Sequence, residues 1–465
     1  MGQRMSELEA LLWTLEKDPH LGSTFANLTL LDRVPDLDRF RRRMAHAATV
    51  VPRLRQRVGP RIGRLVPPEW RDDCDLDLDH HVRRIALPAP GTRRQLLDLV
   101  VQLAGEPLDR ARPLWRFTVI DNVDGIDGLP AGTGAAMVQQ LHHTLSDGEG
   151  GVRMSAAFLD LERDAPEPPP VEPAVADRPG DDAPLPLLAG AGAHLARRGM
   201  GIATRVVGDA ATLARHPDQL AAAGTGAATA VGSLVRQGLV RDPARSPLWT
   251  QRTLRRRLEL LRIPLEDTKR AAKALGGTVN DLFVTGAAGG AGRYHAARGE
   301  AIDELRMAMP VSTRTDRSAA GNAFTPTRLL VPCAITDPAE RFAAVQARLA
   351  ATKGERAIGL VAGLAGVANL APTAVLVRAA RAQAATVDFT TSNLRGAPFP
   401  LYVAGARMTA NHPLGPLAGT AWNLTTISVD GSLDMGLSVD AGAVDDPEAL
   451  RADLEAAFAE LLALG

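Results

Sequence analysis

The sequence predicts an α/β protein of two halves, each a mixed sheet with flanking helices, with the functional site where the halves meet. Three observations predict it. Helix and strand signals alternate both before and after one long proline-rich stretch. That stretch, Asp164 to Pro186, has prolines at 166, 168, 169, 170, 173, 179, 184 and 186 among charged residues. No packed element tolerates such a composition, so it reads as an extended, mobile linker. Near the C-terminus, Asn423–Val429 and Ser432–Asp440 flank Asp430-Gly431, the dipeptide that suits a type I′ hairpin turn. The chain thus divides into an N-terminal half (1–162), a linker with basic Ala/Gly-rich helices (163–250) and a C-terminal half (251–465), and a cleft between halves is the usual place for a ligand.

In the first half, Asp36 can cap a helix through Leu37, Phe40 and Met44, and Thr92 another through Leu96, Leu97, Val100 and Leu103. Arg116–Val123 alternates and is β-branched, a Gly-rich turn follows, and Ala135–His143 is a second strand. A helix is expected from about Gly148 to Leu161. Beyond the linker, 187–241 reads as helices carrying Arg197, Arg198, Arg205, Arg215, Arg236 and Arg241, either a solvated face or a basic patch for anionic lipid. Leu305–Ser312, Arg328–Cys333 and Val387–Thr391 are strand candidates before the hairpin. The last helix should begin with Asp446 as cap and Pro447 at its first position.

Bulk properties exclude several functions. Lysine plus arginine equals aspartate plus glutamate, 53 against 53, so no overall field favours nucleic acid. Two cysteines, Cys74 and Cys333, make no disulfide framework and no CxxC, which fits a reducing compartment such as the cytoplasm. The N-terminus lacks the apolar core of a secretory signal. Met1-Gly2 with Ser6 fits a short acylation pattern that the bacterial style of the composition disfavours. Residues 357–377 carry no charge and are long enough to span a bilayer. Their glycines, Asn369 and Pro372 point instead to a buried helix or one lying on lipid.

Chemistry concentrates in residues 137–151, Met-Val-Gln-Gln-Leu-His-His-Thr-Leu-Ser-Asp-Gly-Glu-Gly-Gly. In a strand, Met137, Gln139, Leu141 and His143 share one face. Ser146-Asp147-Gly148 is turn chemistry, so His143 ends the strand and can project into a cleft. A neutral imidazole there can take a proton from an attacking hydroxyl. Gly148 would allow close approach of backbone or substrate. Competing readings are a structural histidine and a His143/Asp147 metal pair. Against the metal stand the turn between the two residues and the lack of HExxH or a second histidine cluster. Ser146 lies in no GxSxG elbow, which argues against a serine triad.

His142-His143-Thr144-Leu145-Ser146-Asp147-Gly148 resembles the HHxxxDG motif of the CoA-dependent acyltransferase superfamily, which includes chloramphenicol acetyltransferase-like enzymes and peptide-synthetase condensation domains. Pro113-Leu114-Trp115 resembles the PLW motif of the wax ester synthase/diacylglycerol acyltransferase family, and Asn280-Asp281 its ND motif. Pro310-Val311-Ser312, Gly321-Asn322, and the run Ser392-Asn393 through Leu401-Tyr402 to Pro413-Leu414 also fit, as do the opening Met5–Asn27 and closing Asn423–Asp440 segments. The likeness covers nearly the whole chain outside the linker. Thr144 and Ser146 stand where small apolar residues are common, and Asn411-His412-Pro413 where an aromatic often precedes proline.

The resemblance implies a two-domain chloramphenicol acetyltransferase-like fold and acyl-CoA-dependent O-acyl transfer that makes triacylglycerol or wax ester. His143 would be the base and acyl-CoA a substrate, with neither cofactor nor metal required. It implies that His142, Asp147 and Gly148 complete the motif, with Asp147 facing away from substrate and pairing with an arginine, for which Arg314 is the candidate. Asn280 and Asp281 would shape the site, although Thr278 and Asp281 also form a capping box. Pro113, Leu114 and Trp115 would wall an acyl channel or be plain core. Thr391 and Ser392, ending a strand, are candidate oxyanion donors. Long-chain acyl-CoA, a diacylglycerol or fatty alcohol, and the cytoplasmic face of a membrane or lipid droplet would be the partners. A carrier-protein-dependent condensation-type acyltransferase, a non-catalytic acyl-CoA or lipid-binding protein, and a zinc hydrolase are the rival readings.

Overall fold

The computed structural model describes residues 3–60, 66–126, 134–169, 242–312, 324–353 and 372–465. Arg314, the basic segment 187–241, Met1-Gly2 and most of the uncharged stretch 357–377 lie outside them. The first half runs α1 (Glu7–Leu15), β1 (Thr24–Leu31), α2 (Leu37–Val50), β2 (Gln56–Val58), β3 (Trp70–Asp72), α3 (Leu78–His81), β4 (Val82–Ala86), α4 (Arg93–Gly105), β5 (Trp115–Val123), β6 (Gly134–His142) and α5 (Gly148–Ser155). Its helices start where side-chain caps satisfy the first amides: Ser6 for α1, Asp36 for α2, Thr92 for α4 and Asp147 for α5. Helix α5 ends at Ser155, short of the expected Leu161, because the chain turns there and Asp160 pairs with Tyr402.

The second half runs β7 (Arg256–Pro264), α6 (Leu265–Ala274), α7 (Val279–Ala296), β8 (Glu304–Ser312), β9 (Phe324–Pro332), α8 (Pro338–Lys353), α9 (Thr373–Ala384), β10 (Phe389–Arg395), β11 (Tyr402–Val403), β12 (Ala406–Leu414), β13 (Trp422–Val429), β14 (Ser432–Asp440) and α10 (Pro447–Leu462). The hairpin stands as expected: β13 and β14 pair from Trp422↔Val439 to Val429↔Ser432, and both turn residues have positive φ, 41° at Asp430 and 82° at Gly431. Asp446 caps α10 with Pro447 at its start. Helix α7 is buried on nearly every side, and Gly286 leaves the room that the Phe458 ring of α10 occupies.

Two six-stranded sheets result, in the orders β11-β12-β1-β6-β5-β4 and β7-β14-β13-β10-β8-β9, and both are mixed. One face of the first packs Trp115, Phe117, Met137 and Leu141 against Phe40 and Met44 of α2. The other packs Leu28, Leu30 and Val138 against Leu96, Leu97 and Val100 of α4, with Leu258 and Leu260 of β7 joining them. The segment 251–465 is not confined to the second sheet. Strand β12 pairs antiparallel with β1, Ala26↔Leu414 to Leu31↔Met408, and β11 extends that edge. The buried Asp434 of β14 accepts from the Asn411 amide (2.7 Å) and meets Arg262 (3.0 Å), tying β12 to the second sheet. The linker's opening is also less free than expected. Arg39 donates to the Ala165 carbonyl (2.6 Å), and Arg42 pairs with Glu167 (2.9 Å), laying it along α2.

Candidate active site

His143 follows the last residue of β6, as the turn chemistry predicts. Its amide donates to the Ser23 carbonyl (2.9 Å), and the His142 amide to the Leu114 carbonyl (3.1 Å), so both neighbouring segments grip the strand end. The His143 ring is half-buried and lies 4.7 Å from the Phe25 ring, centroid to centroid. Burial pulls its pKa from the ordinary 6.5 down to about 4, against the opposing pull of Asp147, the Ser146 backbone and Glu16. The imidazole is therefore neutral at pH 7 and can accept a proton.

His142 is fully buried, and both its ring nitrogens are engaged. Thr144 approaches Nδ1 with its backbone amide (3.0 Å) and its hydroxyl (2.8 Å). Since the amide can only donate, Nδ1 is the acceptor and the ring proton sits on Nε2, which donates to Glu16 Oε2 (2.7 Å). This ring is not placed to take a proton from a substrate. Glu16, which the sequence reading did not single out, also accepts from Arg110 (2.9 Å) and Thr24 (3.2 Å). Burial pushes this carboxyl upward, but the hydrogen bond from His142 and the hydrogen bond and charge of Arg110 outweigh it and hold its pKa at about 2.

Asp147 is buried and caps α5, accepting from the Gly150 amide (2.7 Å). Gly148 opens that helix and touches the second half: a Cβ added there would lie 2.6 Å from Leu394 Cδ2 on β10. On β10, Leu394 and Ser392 share one face, Thr391 and Asn393 the other. Asn393 in turn donates to the Asn280 side chain (3.3 Å) at the start of α7. The HHxxxDG turn, from the first half, and the N-terminus of α7 thus touch β10 on opposite faces near its end. Among the described residues no group of three or more His, Cys, Asp or Glu side chains could hold a metal ion.

Residues 5–283 match the model of the wax ester synthase/diacylglycerol acyltransferase catalytic domain, and residues 320–462 that of the family's C-terminal domain. The chain belongs to this family. A Mycobacterium tuberculosis protein whose name proposes diacylglycerol O-acyltransferase activity is 35% identical over all of this chain and 92% of its own length. A second from that organism, with the same proposed activity, is 30% identical over 90% of this chain and 82% of its own. Among solved structures, the wax ester synthase/diacylglycerol acyltransferase from Marinobacter aquaeolei superposes with a TM-score of 0.63 at 21% identity, over 99% of this chain and 98% of that one. The first condensation domain of the calcium-dependent antibiotic synthetase gives 0.59 at 16% identity, over 100% and 96%. The fold is the two-domain chloramphenicol acetyltransferase-like one, and the protein is an acyltransferase.

The family's other motifs sort into site and scaffold. Pro113, Leu114 and Trp115 are buried; the Trp115 indole donates to the Leu54 carbonyl (2.7 Å) and stacks on His81 at 4.3 Å, so the core role holds for it. The Asp281 carboxylate is spent on its capping box, accepting from the Thr278 amide (2.9 Å) and hydroxyl (2.8 Å). Asn280 faces β10. Thr391 and Ser392 lie inside β10 rather than at its end, because pairing with β13 continues to Arg395↔Ser428. The Thr391 hydroxyl points to Met307 Sδ (3.2 Å) in the core, which removes it as an oxyanion donor; Ser392 shares the Leu394 face. The unexpected Asn411 accepts from Asn27 and from Thr29 (2.9 Å) across β1.

Proposed function

We propose that this acyl-CoA-dependent O-acyltransferase uses His143 as general base to transfer a long-chain acyl group to the hydroxyl of a diacylglycerol or fatty alcohol. The observation that carries the reading is a neutral, half-buried imidazole at the end of β6, in the turn that leads to Gly148 and its contact with β10. The acceptor's hydroxyl proton passes to the unprotonated ring nitrogen of His143 as its oxygen bonds to the thioester carbon. The tetrahedral oxyanion collapses, the carbon–sulfur bond breaks, and the CoA thiolate leaves and takes the proton back from the imidazolium. No acyl-enzyme forms. A placed base supplies roughly 10²–10⁴ in rate. Alignment and oxyanion donors supply more. The carboxylates of Asp147 and Glu16 favour the imidazolium formed on the way.

The enzyme works on a cytoplasmic lipid surface as a peripheral protein. No helix among the described residues is long and apolar enough to cross a membrane. Helix α9 buries none of its residues, and it exposes Val375 beside Arg378. The test of the reaction is lipid chromatography after offering palmitoyl-CoA with dioleoylglycerol and hexadecanol together. Triacylglycerol or wax ester with stoichiometric thiol release is expected; binding of palmitoyl-CoA without release would defeat the reading. Flotation with anionic liposomes tests the surface: protein left wholly at the bottom of the gradient contradicts it.

A further inference from the structure

We propose that Glu16, anchored by Arg110, is a positioning residue for acyl transfer: it fixes the ring of His142, and through that ring the turn that aims His143. The inference rests on reading His143 as the base. Glu16 is the C-cap of α1, and its carboxylate is fully engaged: Oε1 accepts from Thr24 at the start of β1, and Oε2 from Arg110 and His142. Arg110 is itself held, donating to the Trp13 carbonyl (3.0 Å) with its guanidinium 3.8 Å above the Trp13 ring. The Trp13 ring stands edge-on to His142 at 5.7 Å.

With Nε2–H donating to Glu16, the neutral ring leaves Nδ1 as the acceptor for the Thr144 amide and hydroxyl. The His142 carbonyl accepts from the Leu145 amide (2.9 Å). Both ends of the residue therefore fold the turn from 142 to 145, and His143 lies within it. Rotating the His142 ring, or moving its proton to Nδ1, would put N–H against N–H at Thr144. The turn would open and the His143 ring would leave its place beside Phe25. In many catalytic histidines a carboxylate orients the base directly. Here Asp147 is committed to capping α5, and the orienting carboxylate comes from α1, 126 residues away from His142 in the chain.

The test compares Glu16→Ala and Glu16→Gln with the parent enzyme, using palmitoyl-CoA and dioleoylglycerol. Glu16→Ala should lower kcat about 10- to 100-fold, the scale of a misplacement near 1 Å, with KM for palmitoyl-CoA within about twofold. Glu16→Gln keeps an acceptor for Nε2–H but loses the charge that holds Arg110, so it should fall between. Nitrogen-15 spectra of the histidine rings should show His142 as the Nε2–H form in the parent and Glu16→Gln proteins, and mixed in Glu16→Ala. If Glu16 acts through His142, the Glu16→Ala/His142→Ala protein should be no slower than His142→Ala alone. Unchanged kcat in a folded Glu16→Ala protein, a His142 that stays wholly Nε2–H in Glu16→Ala, or multiplied losses in the double variant would each overturn the proposal. His143→Ala is the separate control: normal turnover there sinks the base assignment and leaves the Glu16–His142 geometry unused.

Discussion

Replacing Gly148 with alanine probes the contact between the two halves at the site itself. An alanine Cβ would sit 2.6 Å from Leu394 Cδ2 and 3.2 Å from Cδ1, while ordinary contact begins at 3.4 Å, so something must move by about 0.8 Å. In an open helix the same change would stabilise, because alanine is the better helix former by about 0.8–1 kcal/mol. Overpacking costs about 1–3 kcal/mol, so the net effect should be destabilising. If the helix start recoils from β10, His143 shifts with it, and turnover should drop by about 30- to 100-fold, the cost of a displacement near 1 Å. Removing the obstacle should reverse the sign. In a Leu394→Ala background, Gly148→Ala should raise the melting temperature and return kcat to within about threefold of Leu394→Ala alone. Thermal melts and thiol release with palmitoyl-CoA and dioleoylglycerol measure both. Turnover within twofold of the parent in Gly148→Ala, with no dependence on Leu394, would refute the reasoning.

Four further outcomes are expected from the same geometry. His143 is held at about 4 from an ordinary 6.5, so the folded state resists protonation; kcat/KM should show no acid limb near pH 6.5 and should fall only as pH drops through about 4. Stability from this depressed pKa, shared by His81, is fully present above pH 6.5 and is lost as pH falls toward 4, which denaturant melts across that window will measure. Asp147→Ala removes the cap of α5 and should cost about 0.5–2 kcal/mol in stability; unchanged thermal stability with lost activity would assign Asp147 to the chemistry instead. Asp281→Ala should cost a similar amount through its capping box, with kcat changed less than about threefold.

What the sequence made legible was local. The hairpin turn, the caps at Asp36, Thr92 and Asp446, and the strand ending at the two histidines each depend on a few neighbouring residues, and each formed as expected. What escaped was set by distant packing. Nothing near Tyr402–Leu414 signals that it will pair with β1, and the parallel partner β13, not local turn chemistry, carries β10 past Ser392. Glu16 escaped for the same reason: an acidic residue ending a helix looks ordinary until the His142 ring is beside it. Asp281 shows the converse, since its capping pattern was visible in the sequence and proved to be its structural role.

The most direct test is a single-turnover measurement of CoA thiol release from palmitoyl-CoA, with dioleoylglycerol as acceptor, by His143→Ala. The expected result is a rate lower by roughly 10²–10⁴, with the melting temperature and palmitoyl-CoA binding retained. Release at the parent rate by a folded His143→Ala protein would contradict the assignment of this imidazole as the base.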